Sequence, residues 1–454
     1  MTDETIFALA SAPGRAGVAV FRVSGPGAAR AFVDLTRRAL PPPRRAVRVH
    51  LCSPATGEVL DDGLGLWFPA PKSFTGEDVA EFQLHGGRAV EAAITEALRG
   101  LEGLRLAEPG EFTRRAFENG KFELTAAEGL ADLVNAETEA QRRQARRQLE
   151  GELGAIYEGW RGRLIEALAH YEAVIDFTDE ELPADLSRKV NHKMLGLKEE
   201  IAQHLDDKRR GERLRDGIYI AIIGAPNVGK SSLLNALARR DAAIVAETAG
   251  TTRDVIEVHL DLGGFPVIVA DTAGLREAAE GVEREGIRRA EARAAEADIR
   301  LALFDITLWP ELDAKTLALV NDDTVPILNK ADLLGPGQGP GVPGVPGVKV
   351  RVGGRPVVIA SAKTGAGMAE LLECLESMVS NRIELAGSPA LTRARHRDAL
   401  EESVDALSRF AGASEEALAA EDLRLAARAL GRITGRVEVD DILDVIFRDF
   451  CIGK

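Results

Sequence analysis

The residues best suited to chemistry begin at 224. Gly224-Ala225-Pro226-Asn227-Val228-Gly229-Lys230-Ser231 is a GxxxxGKS run, followed by Ser232. Its glycines let successive backbone N–H groups turn inward around phosphates. A helix opening at its end adds partial positive charge. Lys230 suits the β- and γ-phosphates, and the Ser231 hydroxyl suits Mg2+. Four more elements follow in order. Gly250-Thr251-Thr252 supplies a switch threonine able to close over Mg2+ and the γ-phosphate. Asp271-Thr272-Ala273-Gly274 offers a carboxylate for the Mg2+ shell and, at Gly274, an N–H for the γ-phosphate. Asn329-Lys330-Ala331-Asp332 places a carboxylate at Asp332 that can accept guanine N1–H and N2–H, which adenine does not present. Ser361-Ala362-Lys363 suits a loop over the base. Five elements in this order predict a P-loop domain that binds GTP, and the choice of GTP over ATP rests mainly on Asp332.

The residue that orients the attacking water is not fixed by this pattern. Many small GTPases carry a glutamine just after DxxG. Here that place is Leu275, which cannot orient water. Arg276 follows, and Glu280, Glu283 and Glu285 lie within the next turns. Any one of them could act through a water, or be a solvated helix charge. Asn227 has two readings as well. Its side-chain oxygen could help hold a monovalent cation beside the phosphates, where other GTPases receive an arginine finger. Asparagine also simply suits turns.

The elements around these residues alternate strand and helix. Ile218–Ile223 is a short apolar run suited to a buried parallel strand, and 232–237 reads as the helix after the loop. Pro266–Ala270, Val325–Leu328 and Val357–Ala360 are the strands that end at the later motifs. Before this α/β stretch, residues 1–120 mix strands (Val18–Val23, Val79–Leu84) with a helix at 88–99. From 121 to 213 the pattern is helical, with Pro183 the only proline. Leu149, Leu153, Ile156, Trp160, Leu164 and Leu168 recur at spacings of three and four, as on one long helix. Residues 380–454 are helical again, with Leu423, Ala426, Leu430 and Ile433 on one face. Two helical stretches flanking an α/β unit predict a domain inserted into one helical domain. Gly335–Gly347 is Gly/Pro-rich, a surface-loop composition.

Composition narrows the class. A chain of 454 residues predicts several domains. The net charge of −15 excludes a generally basic nucleic-acid binder, so contacts to RNA would be local patches. Gln141–Arg147, with four arginines, is such a patch or a solvated helix face. Cys52, Cys374 and Cys451 are widely spaced with no CxxC, which argues against a disulfide framework or zinc site and suits a reducing cytoplasm. No basic n-region and no apolar run of about 18 residues predict a signal peptide or membrane span.

Taken together, the motifs resemble the tRNA-modification GTPases of the MnmE (TrmE) family, across essentially the whole chain. The carriers are Pro13–Val18, Arg22–Pro26, Pro71–Asp78, His85-Gly86-Gly87, Pro109–Phe117, Asn119-Gly120-Lys121 and the final Phe450-Cys451-Ile452-Gly453-Lys454. The resemblance implies a multidomain fold: an α/β folate-binding and dimerisation domain (1–120), a discontinuous all-α helical domain (121–213 and 381–454) and an inserted α/β P-loop GTPase domain (214–380). It implies a cytoplasmic homodimer that works with an FAD-dependent partner protein, as a heterotetramer, on tRNA. The product would carry an aminomethyl-type group on carbon 5 of the wobble uridine, with 5-formyl- or methylene-tetrahydrofolate as the one-carbon ligand. By resemblance, folate falls on Arg22, Glu81, Lys121 and Lys454. Potassium falls on Asn227, Thr251 and the carbonyls of Ala246 and Thr248. Magnesium falls on Ser231 and Thr252. Glu247 and Ala249 complete the GTP-binding switch. Glu283 matches the family's water-orienting glutamate, and Cys451 is either a nucleophile or an inert tail cysteine.

The same nucleotide motifs would also serve a ribosome-assembly GTPase. That reading predicts a KH module with a GxxG loop or a second G domain, and the sequence offers neither. A third reading makes the N-terminal domain a folate sensor that reports one-carbon supply through GTP turnover.

Overall fold

A computed structural model describes residues 4–176, 184–240, 242–244, 257–271, 297–334, 350–383, 390–437, 440–448, 450 and 453. The chain forms two compact units. One comprises Met1–Ala131, Arg147–Leu197 and Glu402–Lys454. The other comprises Asp132–Arg146 and Lys198–Glu401.

The first unit is built on a six-stranded sheet. Its strands are β1 (Thr5–Leu9), β2 (Ala16–Ser24), β3 (Val47–Cys52), β4 (Val59–Phe68), β5 (Val79–Gly86) and β6 (Leu104–Leu106). They lie in the order β3-β4-β5-β2-β1-β6, antiparallel except for the β1–β6 pair. Strand alternation sets the two faces. Ala19, Phe21 and Val23 of β2 are buried in one core with residues of the helices Ala28–Thr36 and Arg88–Arg99, and Phe32 stacks on Phe82 at 5.5 Å. The intervening Arg22 has a different neighbourhood, described below.

A buried ionic network joins this sheet to the helix Glu111–Glu118. Arg115, with a side chain 4% exposed, donates to Glu77 and Glu111. Arg105 gives Glu111 two more hydrogen bonds, and Ser24 donates to Glu77. Burial pushes the Glu111 carboxyl up. Hydrogen bonds from Arg105, the Glu108 amide and Arg115 outweigh it, and the net value falls below the ordinary 4.5.

The expected long apolar stripe divides between two helices. Leu149 ends the helix Glu139–Leu149, Gly151 at φ 86° breaks the chain, and a second helix runs Glu152–Asp176. Its buried side chains beyond Gly154 are Leu153, Tyr157, Trp160, Leu164, Ala167 and Tyr171, with Ile156 and Leu168 at the margin. Steps of four and three repeat every seven residues, the spacing of helix-pair seams. The partner is the helix Glu416–Thr434, whose buried Ala419, Leu423, Ala426, Leu430 and Ile433 repeat in the same way. The helix Asp440–Arg448 packs on Glu111–Glu118. Gly110 permits this, because a Cβ there would lie 2.5 Å from the Phe447 carbonyl oxygen.

The second unit holds a six-stranded sheet ordered β14-β11-β10-β7-β9-β8. Its strands are β7 (Ile218–Gly224), β8 (Glu257–Leu262), β9 (Phe265–Asp271), β10 (Ile299–Asp305), β11 (Thr324–Asn329) and β14 (Val358–Ile359). A separate hairpin pairs β12 (Arg351–Val352) with β13 (Arg355–Pro356). All pairs in the large sheet are parallel except β8–β9. That exception is a two-residue hairpin whose Gly263 and Gly264 both take positive φ, as a type I′ turn requires. The segment Asp132–Arg146 belongs to this unit. The Ala140 N–H donates to the Gly264 carbonyl, and Gln141 Nε2 donates to the Arg215 carbonyl.

Glu111→Ala should destabilise the chain by about 3 kcal/mol, because it removes a carboxylate on which the buried Arg115 and the half-buried Arg105 both converge. The folded carboxyl lies below its ordinary value, so its contribution is present above pH 4.5 and is lost as pH falls through the lower folded value. Urea denaturation of wild type and variant should differ at pH 7 and converge at acid pH.

Candidate functional site

β7 is apolar throughout and buried between β9 and β10, so the strand order reverses beside its carboxyl end. In open α/β sheets, that crevice is where ligands bind. The phosphate loop occupies it and runs into the helix Lys230–Ala238. Asn227 takes φ 63° and Gly229 φ 102°. Lys230 is buried, and its ammonium donates to the carbonyls of Gly224 and Ala225 at 3.0 and 2.9 Å. Its side chain therefore lies along the loop. Val228 is buried, while Asn227, Ser231 and Ser232 are exposed at the loop and the helix start.

One amide joins this loop to the base loop. Asn329 is buried, and its Nδ2 donates to the Val228 carbonyl at 2.9 Å while its Oδ1 accepts the Ala362 N–H at 3.1 Å. Ser361 Oγ donates to Asp332 Oδ1 at 2.6 Å and accepts the Thr364 N–H. The carboxylate proposed from sequence to read guanine is thus held in place by the first residue of the last motif. Lys363 is exposed on the same turn.

The structure adds a residue that the motifs did not indicate. Lys330 Nζ pairs with Asp305 Oδ2 at 2.7 Å, and Asp305 Oδ1 accepts from the Thr307 N–H and hydroxyl. Burial pushes the Asp305 carboxyl up, but the hydrogen bonds from Lys330 and Thr307 leave it below its ordinary value. The available signal was an acid ending the apolar run Leu301–Phe304.

Asp271 closes β9 beside Ile222; its side chain lies outside the described residues. So do Ala246, Glu247, Thr248, Ala249, Gly250, Thr251, Thr252, Thr272, Ala273, Gly274, Arg276, Glu280, Glu283, Glu285, Cys451, Lys454 and the 335–347 loop.

In the first unit, Arg22 and Glu81 face each other across β2 and β5 and pair at 3.5 Å. The Arg22 guanidinium stands over the rings of Phe74 and Phe112, at 5.4 and 5.7 Å, and donates to the Gly453 carbonyl at 3.4 Å. Lys121 Nζ donates to the Pro71 carbonyl, and the neighbouring Phe122 ring lies 6.1 Å from Phe74. Gly453 takes φ 100° against β1, where a Cβ would meet the Leu9 carbonyl oxygen at 2.4 Å. Arg22 and Glu81 are therefore brought together beside the residue that precedes Lys454.

Other features are plain. Arg142 and Arg143 pair with Glu139 and hold its carboxyl down to about 2, and Arg147 pairs with Glu152, so much of the arginine run is compensated. Cys52 is buried, and burial with Glu370 nearby pushes the Cys374 thiol up. Among the described residues no helix is long and apolar enough to cross a membrane.

Residues 124–451 match the family described as MnmE helical domain, and residues 5–121 match the GTP-binding protein TrmE N-terminus. The chain belongs to the MnmE family. It is 61% identical over 452 residues to the tRNA modification GTPase MnmE of Paramagnetospirillum magneticum, covering 100% of both chains. The MnmE of Rhodospirillum rubrum is 56% identical, again over 100% of both. The mitochondrial 5-taurinomethyluridine-[tRNA] synthase subunit GTPB3 of Danio rerio is 48% identical over 100% of this chain and 93% of that one. Among solved structures, an Aquifex aeolicus Era variant bound to GDP.AlF4- is 23% identical over 44% of this chain and 68% of that chain, with a TM-score of 0.26. The fold assignment rests on the strand order above and not on that likeness.

Gly229→Ala should weaken guanine-nucleotide binding about 10- to 100-fold. The new Cβ would stand 2.3 Å from Asn329 Nδ2, at a φ that side chains rarely adopt. Titration with a fluorescent GDP checks this.

Proposed function

We propose that this chain is a GTP hydrolase whose turnover drives a modification at carbon 5 of the tRNA wobble uridine. The observation that carries this reading is the Asn329 bridge, which joins phosphate loop and base loop in a chain matching tRNA modification GTPases end to end. The joined loops support binding of the phosphates and base of one guanine nucleotide. The relative named a taurinomethyluridine-tRNA synthase subunit supports uridine chemistry on tRNA over a ribosome-assembly switch.

Within that reading the roles are these. The domains at 1–120, 121–213 with 381–454, and 214–380 are the folate-binding, helical and GTPase domains. Ser231 and Thr252 hold Mg2+, which neutralises phosphate charge. Asn227, Thr251 and the carbonyls of Ala246 and Thr248 hold K+, which supplies positive charge in the place of an arginine finger. Asn227, at positive φ and exposed, is free to turn its amide oxygen toward such an ion. Lys230 and the Gly274 N–H bind the phosphates, Glu283 orients the water with Arg276 beside it, and Cys451 is a candidate nucleophile. The one-carbon ligand is 5-formyl- or methylene-tetrahydrofolate. Arg22, Lys121 and Lys454 hold its glutamate tail, and Glu81 accepts from the pterin N–H edge. The Arg22–Glu81 pair beside Gly453 supports a polar, charged ligand there. The chain works in the cytoplasm as a homodimer with an FAD-dependent partner protein.

GTP turnover should be faster in KCl than in NaCl, and equal rates with Asn227 intact would sink the cation role. Mass analysis of tRNA from cells lacking this protein should show wobble uridines without their carbon-5 group. Uridines that keep it would overturn the modification reading. Arg22→Ala should abolish formyl-tetrahydrofolate binding measured by calorimetry. Binding that survives both this change and Lys454→Ala would place the folate elsewhere.

A further inference from the structure

We propose that Asp305 is a positioning residue for the base-reading loop, holding Lys330 so that the turn it begins aims Asp332 at the N1–H and N2–H edge of guanine. This rests on the reading of Asn329–Asp332 as the guanine site.

β10 and β11 are parallel, and Asp305 stands directly across from Asn329. Its carboxylate is therefore beside the loop without being part of it. The next residue, Lys330, takes φ 69°, a left-handed backbone that non-glycine residues seldom hold unsupported. There the chain leaves the strand and enters the single turn Ala331–Leu333, which carries Asp332. Lys330 is the N-cap of that turn, and its side chain makes no capping hydrogen bond to it. What fixes it is the ammonium at its other end, on Asp305 Oδ2 at 2.7 Å. Asp305 cannot swing away easily, because its second oxygen takes the Thr307 N–H at 3.0 Å and hydroxyl at 2.7 Å. The Ala331 N–H donates to the Ala360 carbonyl, and Ser361 holds Asp332 itself at 2.6 Å. Asp332 is thus aimed from two sides. β14 supplies one anchor through Ser361, and β10 supplies the other through Asp305 and Lys330.

Among the described residues the Asp305 carboxylate contacts Lys330 and Thr307 and no residue of the phosphate loop, so the anchor acts on base recognition. The experiment compares wild type, Asp305→Asn, Thr307→Val and Asp332→Ala in the full chain. Binding of GDP and of IDP, which lacks the 2-amino group, is measured by calorimetry, and GTP turnover is measured at saturation. Asp305→Asn should raise the Kd for GDP about tenfold and shrink the GDP-over-IDP preference several-fold, with kcat within about twofold of wild type. Thr307→Val, which removes only the hydroxyl clamp, should move the preference the same way by less. A general loss of structure would weaken both nucleotides alike and lower kcat. Asp305→Asn with an unchanged preference, while Asp332→Ala loses it, overturns the inference alone. If Asp332→Ala leaves GDP binding unchanged, the guanine-site reading itself fails and this inference with it.

Discussion

A carboxamide can donate and accept at once, and the second unit depends on one that does both. Asn329 is buried at the end of β11 and holds the Val228 carbonyl with one atom and the Ala362 N–H with the other. Those partners lie about 100 residues upstream and 33 downstream. Neither a carboxylate nor an amine could serve both. Leaving either partner unmatched in a buried place would cost about 1–3 kcal/mol. The contact also explains Gly229, since the amide occupies the space where a Cβ would stand. The loop at 224–231 and the turn at 361–363 are therefore positioned as one object.

The first unit uses charge in a comparable way. Arg115 and Glu111 are nearly inaccessible, and each is satisfied by more than one partner. Such a network costs desolvation and is tolerable only when its groups are matched. Its effect is to lock the helix Glu111–Glu118 and the 73–77 loop to the sheet. That loop carries Phe74, and the helix carries Phe112, the two rings beneath Arg22. The seven-residue repeat of the helix pair provides an apolar frame with alanines on the Glu416–Thr434 side, which lets the backbones approach closely.

Much of this was legible in the residues. Apolar runs ending at motifs gave β7, β9 and β11 nearly residue for residue, because a strand inside a parallel sheet is largely apolar, and the run at 357–360 contains the short edge strand β14. The helix Arg88–Arg99 falls at the expected 88–99. The stripe from Leu149 to Leu168 misled because periodicity does not register a break. Gly151 turns the chain between two helices whose phases nearly match. The segment Asp132–Arg146 reads as helix, yet its packing with Lys198–Glu401 has little periodic signal, since it runs largely through scattered polar contacts, among them Ala140 to Gly264, Gln141 to Arg215 and Asp132 to Arg215 and Arg393.

The amino-acid sequence by itself determined which residues are suited to chemistry: a run suited to phosphates, a carboxylate suited to the guanine edge, and the motifs that carry the family resemblance. Those depend on residue type at short spacing, and short spacing is what a chain encodes locally. Only the tertiary structure decided how these groups are held. Asp305 under Lys330, Ser361 on Asp332 and Gly453 beside Arg22 are partners 25, 29 and 431 residues apart. Such pairings follow from strand order and register, which bring remote residues to adjacent positions.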